Sequence, residues 1–212
     1  MMNERAMTLC ELLSCKLALV SDGQLAEHWD ISSATGRRHL TTWLNGLVRD
    51  DLIRRLRVLA KPTPKLDAPL LQVPRESPLG DMAALSWKLE KRWRIEPEVT
   101  TIYVRGPKCN QLFGGKAQPD ISNLAAVSHD LALSALYFHF ARAQPERARD
   151  WLPDWERKGD LRYGEKLPDV LLYDDDGSPY QAIEMGGSYP PGRLLALQVY
   201  CTESLQLPLE IW

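Results

Sequence analysis

Hydrophobic positions in the first third of the chain recur with a helical period and then with a strand period. Residues 6–20 carry an apolar stripe of leucines that predicts a first helix. Ser21 and Asp22 are typical of a helix start and predict a short second helix, in which Leu25, Ala26 and Trp29 share one face. Ser32 or Ser33 is expected to cap a third helix that ends near residue 48.

The third predicted helix is strongly amphipathic. Its apolar positions fall at i, i+3, i+4, i+7 and i+8, which predicts one buried stripe; they are Leu40, Trp43, Leu44, Leu47 and Val48. Its polar positions are predicted to form the opposite face and its flank; they are Thr35, Arg37, Arg38, Thr41, Thr42 and Asn45. Small polar and arginine side chains near the start of such a helix suit insertion into the major groove of DNA.

A two-stranded wing is expected after this helix. Residues 53–59 alternate as in a strand, with Arg55 and Arg57 on one side, and an apolar run at 70–73 is predicted to pair with it. Between them, the lysines of a proline-rich tip, Lys61 and Lys65, are predicted to contact DNA phosphates. Three helices and a basic wing together predict a winged helix-turn-helix over residues 1–78.

Residues 79–119 are predicted to connect two domains. A helix at 82–93 has one apolar side and one basic side, which suits either a dimer contact or packing on its own domain. The run at 99–104 is rich in strand formers, and the glycine-containing stretch 106–119 is predicted to be a surface loop.

The last part of the chain, residues 120–212, has the pattern of an α/β domain. A helix at 121–142 is apolar nearly all round, which predicts burial, and His129 and His139 on it are interpreted as core histidines. Strands near 151–155, 169–173 and 180–185 follow, then a helix at 192–204 and a strand at 207–212. This order of helix, three strands, helix and strand is that of the restriction-endonuclease-like α/β fold. The fold class predicted for the whole chain is therefore mixed, α+β and α/β.

Two carboxylates are predicted to converge at one end of this sheet. Asp169 precedes one strand and Glu184 ends the next, and the acidic stretch between them, residues 174–176, reads as a hairpin turn at Gly177. Two such carboxylates are what a magnesium-dependent nuclease needs. Such a site also needs a cation two residues after the glutamate, where this chain has Gly186. Arg193 and Lys166 are the available substitutes, although an arginine does not act as a base.

Composition and charge place any nucleic-acid contact in the front of the chain. Residues 1–75 contain 11 Lys and Arg against 8 Asp and Glu, a balance of +3, whereas the remainder contains 15 against 20, a balance of −5. The four cysteines are scattered, which indicates free thiols in a reducing cytoplasm rather than a disulfide framework or a metal site. No membrane-spanning stretch is expected.

Short motifs in the second half resemble a known group of nucleases. The pairs Pro168-Asp169 and Ile183-Glu184 resemble the PD-(D/E)xK superfamily. The whole chain resembles the replication-relaxation family of bacterial mobile elements. Besides these pairs and the predicted winged helix, the resemblance rests on two short motifs, His129-Asp130-Leu131 and Asp154-Trp155-Glu156. The resemblance implies a DNA-binding protein whose nuclease-like second domain is degenerate and which acts in plasmid or mobile-element replication or its control. Where that family tends to have Glu-x-Asp, this chain has Glu184-Met185-Gly186.

Three functions remain open from the sequence. The first is a double-stranded DNA-binding regulator, expected to be a homodimer without a resident cofactor or metal. The second is a nuclease in which Asp169 and Glu184 are catalytic and hold Mg²⁺. The third is a protein-docking factor that binds a mobile-element protein and has no affinity for DNA, because winged helices also serve as docking modules.

Overall fold

The computed structural model of this chain describes residues 3–76, 81–115, 121, 123–157 and 167–212. Its helices are α1 (Glu4–Cys15), α2 (Asp22–His28), α3 (Ala34–Arg49), α4 (Met82–Arg92), α5 (Pro107–Phe113), α6 (Leu124–Ala143), α7 (Pro145–Arg149) and α8 (Pro191–Val199). Its strands are β1 (Val20–Ser21), β2 (Ile53–Ala60), β3 (Leu71–Val73), β4 (Glu98–Arg105), β5 (Trp151–Pro153), β6 (Val170–Tyr173), β7 (Pro179–Glu184) and β8 (Leu209–Ile211). The chain is thus a mixed α+β protein with two sheets. Lys166, position 78 and positions 116–119 of the predicted loop lie outside the described residues.

The smaller sheet has the strand order β1-β4-β2 and is built around the long antiparallel pair of β2 and β4. This pair is in register from Ile53 opposite Arg105 to Ala60 opposite Glu98. The prediction that residues 70–73 form the second strand of the wing is therefore wrong, because β4 pairs with β2 and β3 pairs with β8 of the other sheet. The eight residues of β4 offer β2 a full-length partner, whereas β3 has only three.

The larger sheet has the order β3-β8-β7-β6-β5. Its strands pair antiparallel except β7 and β8, which run parallel. The predicted succession of a helix, three strands, a helix and a strand after residue 120 is found, and α7 corresponds to the helical turn that Pro145 predicts before β5. The predicted boundaries at 78 and 119 do not separate the two sheets, because β3 of the first predicted domain joins the larger sheet and β4 of the predicted connection joins the smaller one.

Helix α6 lies between the two sheets, which explains why its sequence is apolar nearly all round. Val127 and Leu131 pack with Ile102 and Val104 of the smaller sheet. Other residues of α6 pack in the largest core cluster, with the helices α1–α3 and with one face of the larger sheet, including Val170 and Ile183. The other face of the larger sheet is covered by α4 and α8, whose Leu85, Leu89, Leu194 and Leu197 share a second core. The apolar side of α4 therefore packs within its own chain.

Two further element predictions are corrected. Helix α1 ends at Cys15 and not at residue 20, because Val20 and Ser21 pair with Tyr103 and Ile102 of β4. The predicted loop 106–119 contains α5, which begins with Pro107 and buries Cys109 against α1. Among the described helices, none has both the length and the apolarity that a membrane crossing requires.

Candidate functional site

Helix α3 presents a polar face to solvent because its apolar stripe fixes its orientation. The Ser33 hydroxyl accepts a hydrogen bond from the Gly36 amide at 3.0 Å, which caps the helix start. Leu40, Leu44 and Leu47 are buried beneath the helix. All of the predicted DNA-contact positions on α3 are exposed; they are Thr35, Arg37, Arg38, Thr41 and Thr42. The hydroxyls of Thr41 and Thr42 donate to the carbonyl oxygens one turn earlier, each at 3.0 Å.

Strand β2 extends this polar face, a feature that the sequence prediction did not include among the contact residues. The guanidinium of Arg55 donates to the Asn45 side-chain oxygen at 2.9 Å, which joins β2 to α3. Arg54 and Arg57 are also exposed. Within the described residues, neither they nor Arg37 and Arg38 form an ion pair with a carboxylate. We call the exposed side chains of Arg37, Arg38, Thr41, Thr42, Asn45, Arg55 and Arg57 the basic surface.

The two lysines predicted at the wing tip lie elsewhere. Lys61 is half-buried, and its ammonium donates to the carbonyl oxygen of Trp93. The chain leaves the smaller sheet after Ala60, which turns Lys61 towards the larger sheet and away from the basic surface. Lys65 is exposed, but its ammonium forms an ion pair with Asp67 at 2.6 Å, which raises the pKa of Lys65. A phosphate contact by Lys65 would therefore compete with Asp67, and Lys61 does not extend the basic surface.

The structure brings Asp169 and Glu184 together at one end of β6 and β7, as the sequence predicts. One Glu184 carboxylate oxygen accepts a hydrogen bond from the Asp169 amide at 3.1 Å, and Glu184 is fully buried. The Asp169 carboxylate accepts from the Met185 amide at 2.8 Å. Tyr189 lies close to both acids, and burial together with these carboxylates raises its pKa. Both acids thus take part in internal hydrogen bonds that hold the ends of the strands together.

His129 of α6 completes this acidic centre, although its sequence context suggested only a core histidine. Its Nε2 lies 3.0 Å from the Asp169 carboxylate and 3.1 Å from the Met185 carbonyl oxygen, and both of these are acceptors. Burial lowers the pKa of His129, but the charges of Asp169 and Asp130 and the hydrogen bonds to them outweigh burial and raise the pKa well above its ordinary value. The raised pKa favours the imidazolium form, which compensates Asp169. In the sequence, the one signal for this role of His129 is the motif His129-Asp130-Leu131 of the family resemblance.

Gly186 occupies the position where a nuclease of this type needs its cation, and the surrounding packing leaves no room for one. A Cβ atom built on Gly186 would lie 2.4 Å from a methyl carbon of Leu89 and 3.1 Å from one of Ile211. Position 186 thus faces the packing between α4 and the sheet. The predicted substitute Arg193 stacks on the ring of Tyr189, 3.8 Å from its centre. Lys166, the other substitute, lies outside the described residues.

The donor set of the acidic centre does not fit Mg²⁺. A magnesium site requires carboxylate oxygens that converge in near-octahedral geometry with room for water. Here Glu184 is fully buried and binds a backbone amide, whereas Asp169 binds the Met185 amide and lies 3.0 Å from Nε2 of His129. No group of three or more His, Cys, Asp and Glu residues suited to a metal ion occurs in the described ranges.

Comparisons of this chain with protein-family models, with curated proteins and with solved structures find no match.

Proposed function

We propose that this protein binds double-stranded DNA through the basic surface on α3 and β2. In this proposal, residues 1–60 together with β4 form a winged helix-turn-helix whose wing is the β2–β4 pair. The observation that carries the proposal is the exposed, amphipathic helix α3, whose outward arginines continue onto Arg55 and Arg57 of β2. An amphipathic helix with arginines and small polar residues at its exposed start fits the width of a major groove, and arginine-rich strands beside it reach the phosphates.

The larger sheet serves as a scaffold in this proposal. Its order of helix, three strands, helix and strand, with a parallel β7–β8 pair, supports the restriction-endonuclease-like fold that the resemblance implies. The internal hydrogen bonds of Asp169 and Glu184 and the packing at Gly186 support a domain without nuclease activity. The resemblance further suggests a regulator of mobile-element replication or transcription that acts as a homodimer, since paired winged helices read two half-sites.

A binding experiment with matched arginine variants tests the proposal. The affinity of the full chain for a fluorescein-labelled duplex of mixed sequence is measured by anisotropy at low salt. Replacing Arg37 and Arg38 with alanine together should weaken binding by about 100-fold, because charged hydrogen bonds to phosphates or bases contribute about 1.5 kcal/mol each or more. Arg94→Ala is the control, since Arg94, which follows the end of α4, is similarly exposed and pairs with Glu90 of that helix. Equal binding by all three proteins would remove α3 as the contact.

The docking alternative makes a different prediction in the same experiment. A protein-docking factor would show no measurable affinity for the duplex at any salt concentration tested, with every variant still folded. The nuclease alternative predicts shortened DNA after addition of Mg²⁺.

A further inference from the structure

An open cleft lies between the start of α6 and the segment that follows β7. Its volume is about 700 Å³, within the range of small-molecule sites. The side chains that matter for recognition come from four parts of the chain; they are Lys61, Trp93, Ser128, His129, Tyr189 and Arg193. None of the residues of the basic surface lines this cleft, which lies instead beside His129 and Asp169 of the acidic centre.

The lining of the cleft is positively charged. Lys61 and Arg193 contribute two cations to the lining. The carboxylate that lines the cleft, Asp169, is compensated by His129 and by the Met185 amide. The 20-residue helix α6 also begins here, with Asn123 and Leu124 on the wall, so the positive end of its dipole adds to the same field.

Aromatic and apolar surfaces lie beside these charges. The guanidinium of Arg193 stacks on the half-buried ring of Tyr189, and this contact restrains both side chains. Trp93 is fixed by a hydrogen bond of 2.6 Å from its ring nitrogen to the Gly186 carbonyl oxygen, and its own carbonyl oxygen accepts from Lys61. Leu124 and Ala125 add an apolar wall. A ligand with a dianionic group would match the cations of this lining, and a flat apolar group joined to it would match the aromatic and apolar surfaces.

We propose that this cleft binds a terminal phosphate monoester joined to a nucleobase. Lys61 and Arg193 would contact the phosphate, and Tyr189 with the apolar wall would pack against the sugar and base. Two sources offer this chemistry, a free nucleoside monophosphate and the phosphorylated end of a DNA strand. Binding of either source leaves the duplex contact by the basic surface unchanged.

Calorimetry on the full chain tests this site with defined probes. Deoxyadenosine monophosphate should bind with a Kd at or below about 1 mM, and deoxyadenosine without its phosphate should bind at least about tenfold more weakly. Arg193→Gln should weaken binding of the nucleotide about tenfold. Arg94→Gln is the matched control, because Arg94 lies outside the cleft and is likewise exposed.

The same experiment distinguishes the two sources. A short single strand with a terminal phosphate is compared with the same strand ending in a hydroxyl. If only the phosphorylated strand binds, and Arg193→Gln weakens that binding, the strand end is the ligand. If only the mononucleotide binds, and Arg193→Gln weakens that binding, the free nucleotide is the ligand. Absence of binding at about 1 mM by both the mononucleotide and the phosphorylated strand, equal binding with and without the phosphate, or an unaltered affinity in Arg193→Gln would overturn the proposal. Replacement of Arg37 and Arg38 should leave nucleotide binding intact, so failure of the duplex contact is recognised separately.

Discussion

Replacing Gly186 with alanine tests whether the packing around position 186 excludes a side chain there. The added Cβ would lie 2.4 and 2.9 Å from the two methyl carbons of Leu89 and 3.1 Å from Ile211. Leu89 and Ile211 are themselves fully buried in the core between α4, α8 and the larger sheet, so neither side chain can swing into solvent. The substitution must therefore shift α4 or force a side chain away from its preferred rotamer.

The expected cost follows from this overpacking. Extra methyl groups in well-packed cores typically destabilise a protein by about 1–3 kcal/mol. For a chain of this length, that loss corresponds to a decrease in Tm of about 2–12 °C. The matched control is Gly192→Ala in the first turn of α8, where a new Cβ meets no atom within 4 Å. We expect Gly192→Ala to change the free energy of unfolding by less than about 0.5 kcal/mol or to stabilise the helix slightly.

Urea denaturation of four proteins measures the effect. Wild type, Gly186→Ala, Leu89→Ala and the double variant form a cycle in which the smaller side chain at position 89 makes room for the new methyl group. We expect the double variant to be more stable than the sum of the single losses predicts, by about 0.5–3 kcal/mol. A Gly186→Ala protein as stable as wild type, or strictly additive losses, would refute the reasoning that α4 closes this position.

Three further predictions concern the acidic centre and the basic surface. Because the pKa of His129 is raised in the folded protein, the stability that His129 contributes is fully present below its ordinary pKa of 6.5 and is lost as the pH rises through the folded pKa. Urea titrations at several pH values should show this loss in wild type and not in His129→Gln, and identical pH profiles of the two proteins would contradict the prediction. Supercoiled plasmid incubated with Mg²⁺ should remain uncut by wild type and by Asp169→Ala on an agarose gel, whereas cutting that Asp169→Ala abolishes would establish the nuclease alternative. Replacing Arg55 with alanine removes its link to Asn45 and should weaken duplex binding about tenfold by anisotropy, while Lys65→Ala should leave it unchanged; the reverse order would restore the predicted wing tip as the contact.

The sequence predicted best where a local pattern decides the structure. The period of Leu40, Leu44 and Leu47 fixed which side of α3 is buried, and so which residues are exposed. The unbroken apolar character of α6 indicated a helix enclosed on several sides, and the structure places it between two sheets. The pairing of Asp169 with Glu184 followed from a short hairpin, in which neighbouring strands are joined by a tight turn.

Strand partners that are distant in the chain could not be predicted from local patterns. Strand β2 finds its partner after an insertion that contains β3 and α4, and pattern alone does not distinguish β4 from the nearer run at 70–73. The wrong pairing also explains the error about Lys61. The prediction placed Lys61 in a turn between residues 53–59 and 70–73, but these two segments do not form a hairpin, and Lys61 contacts Trp93 instead. The role of Gly186 was equally hidden, since its neighbour Leu89 comes from the inserted helix.

The salt dependence of duplex binding tests the basic surface most directly. Anisotropy titrations of wild type and of a variant with Arg38 and Arg57 replaced by alanine, one residue from each element, are repeated at increasing KCl concentrations. We expect log Kd of wild type to rise linearly with log salt, and the slope of the variant to be smaller by about 2, one for each lost phosphate contact. A wild-type protein that does not bind at the lowest salt, or a variant with the same slope and affinity as wild type, would contradict DNA recognition by α3 and β2.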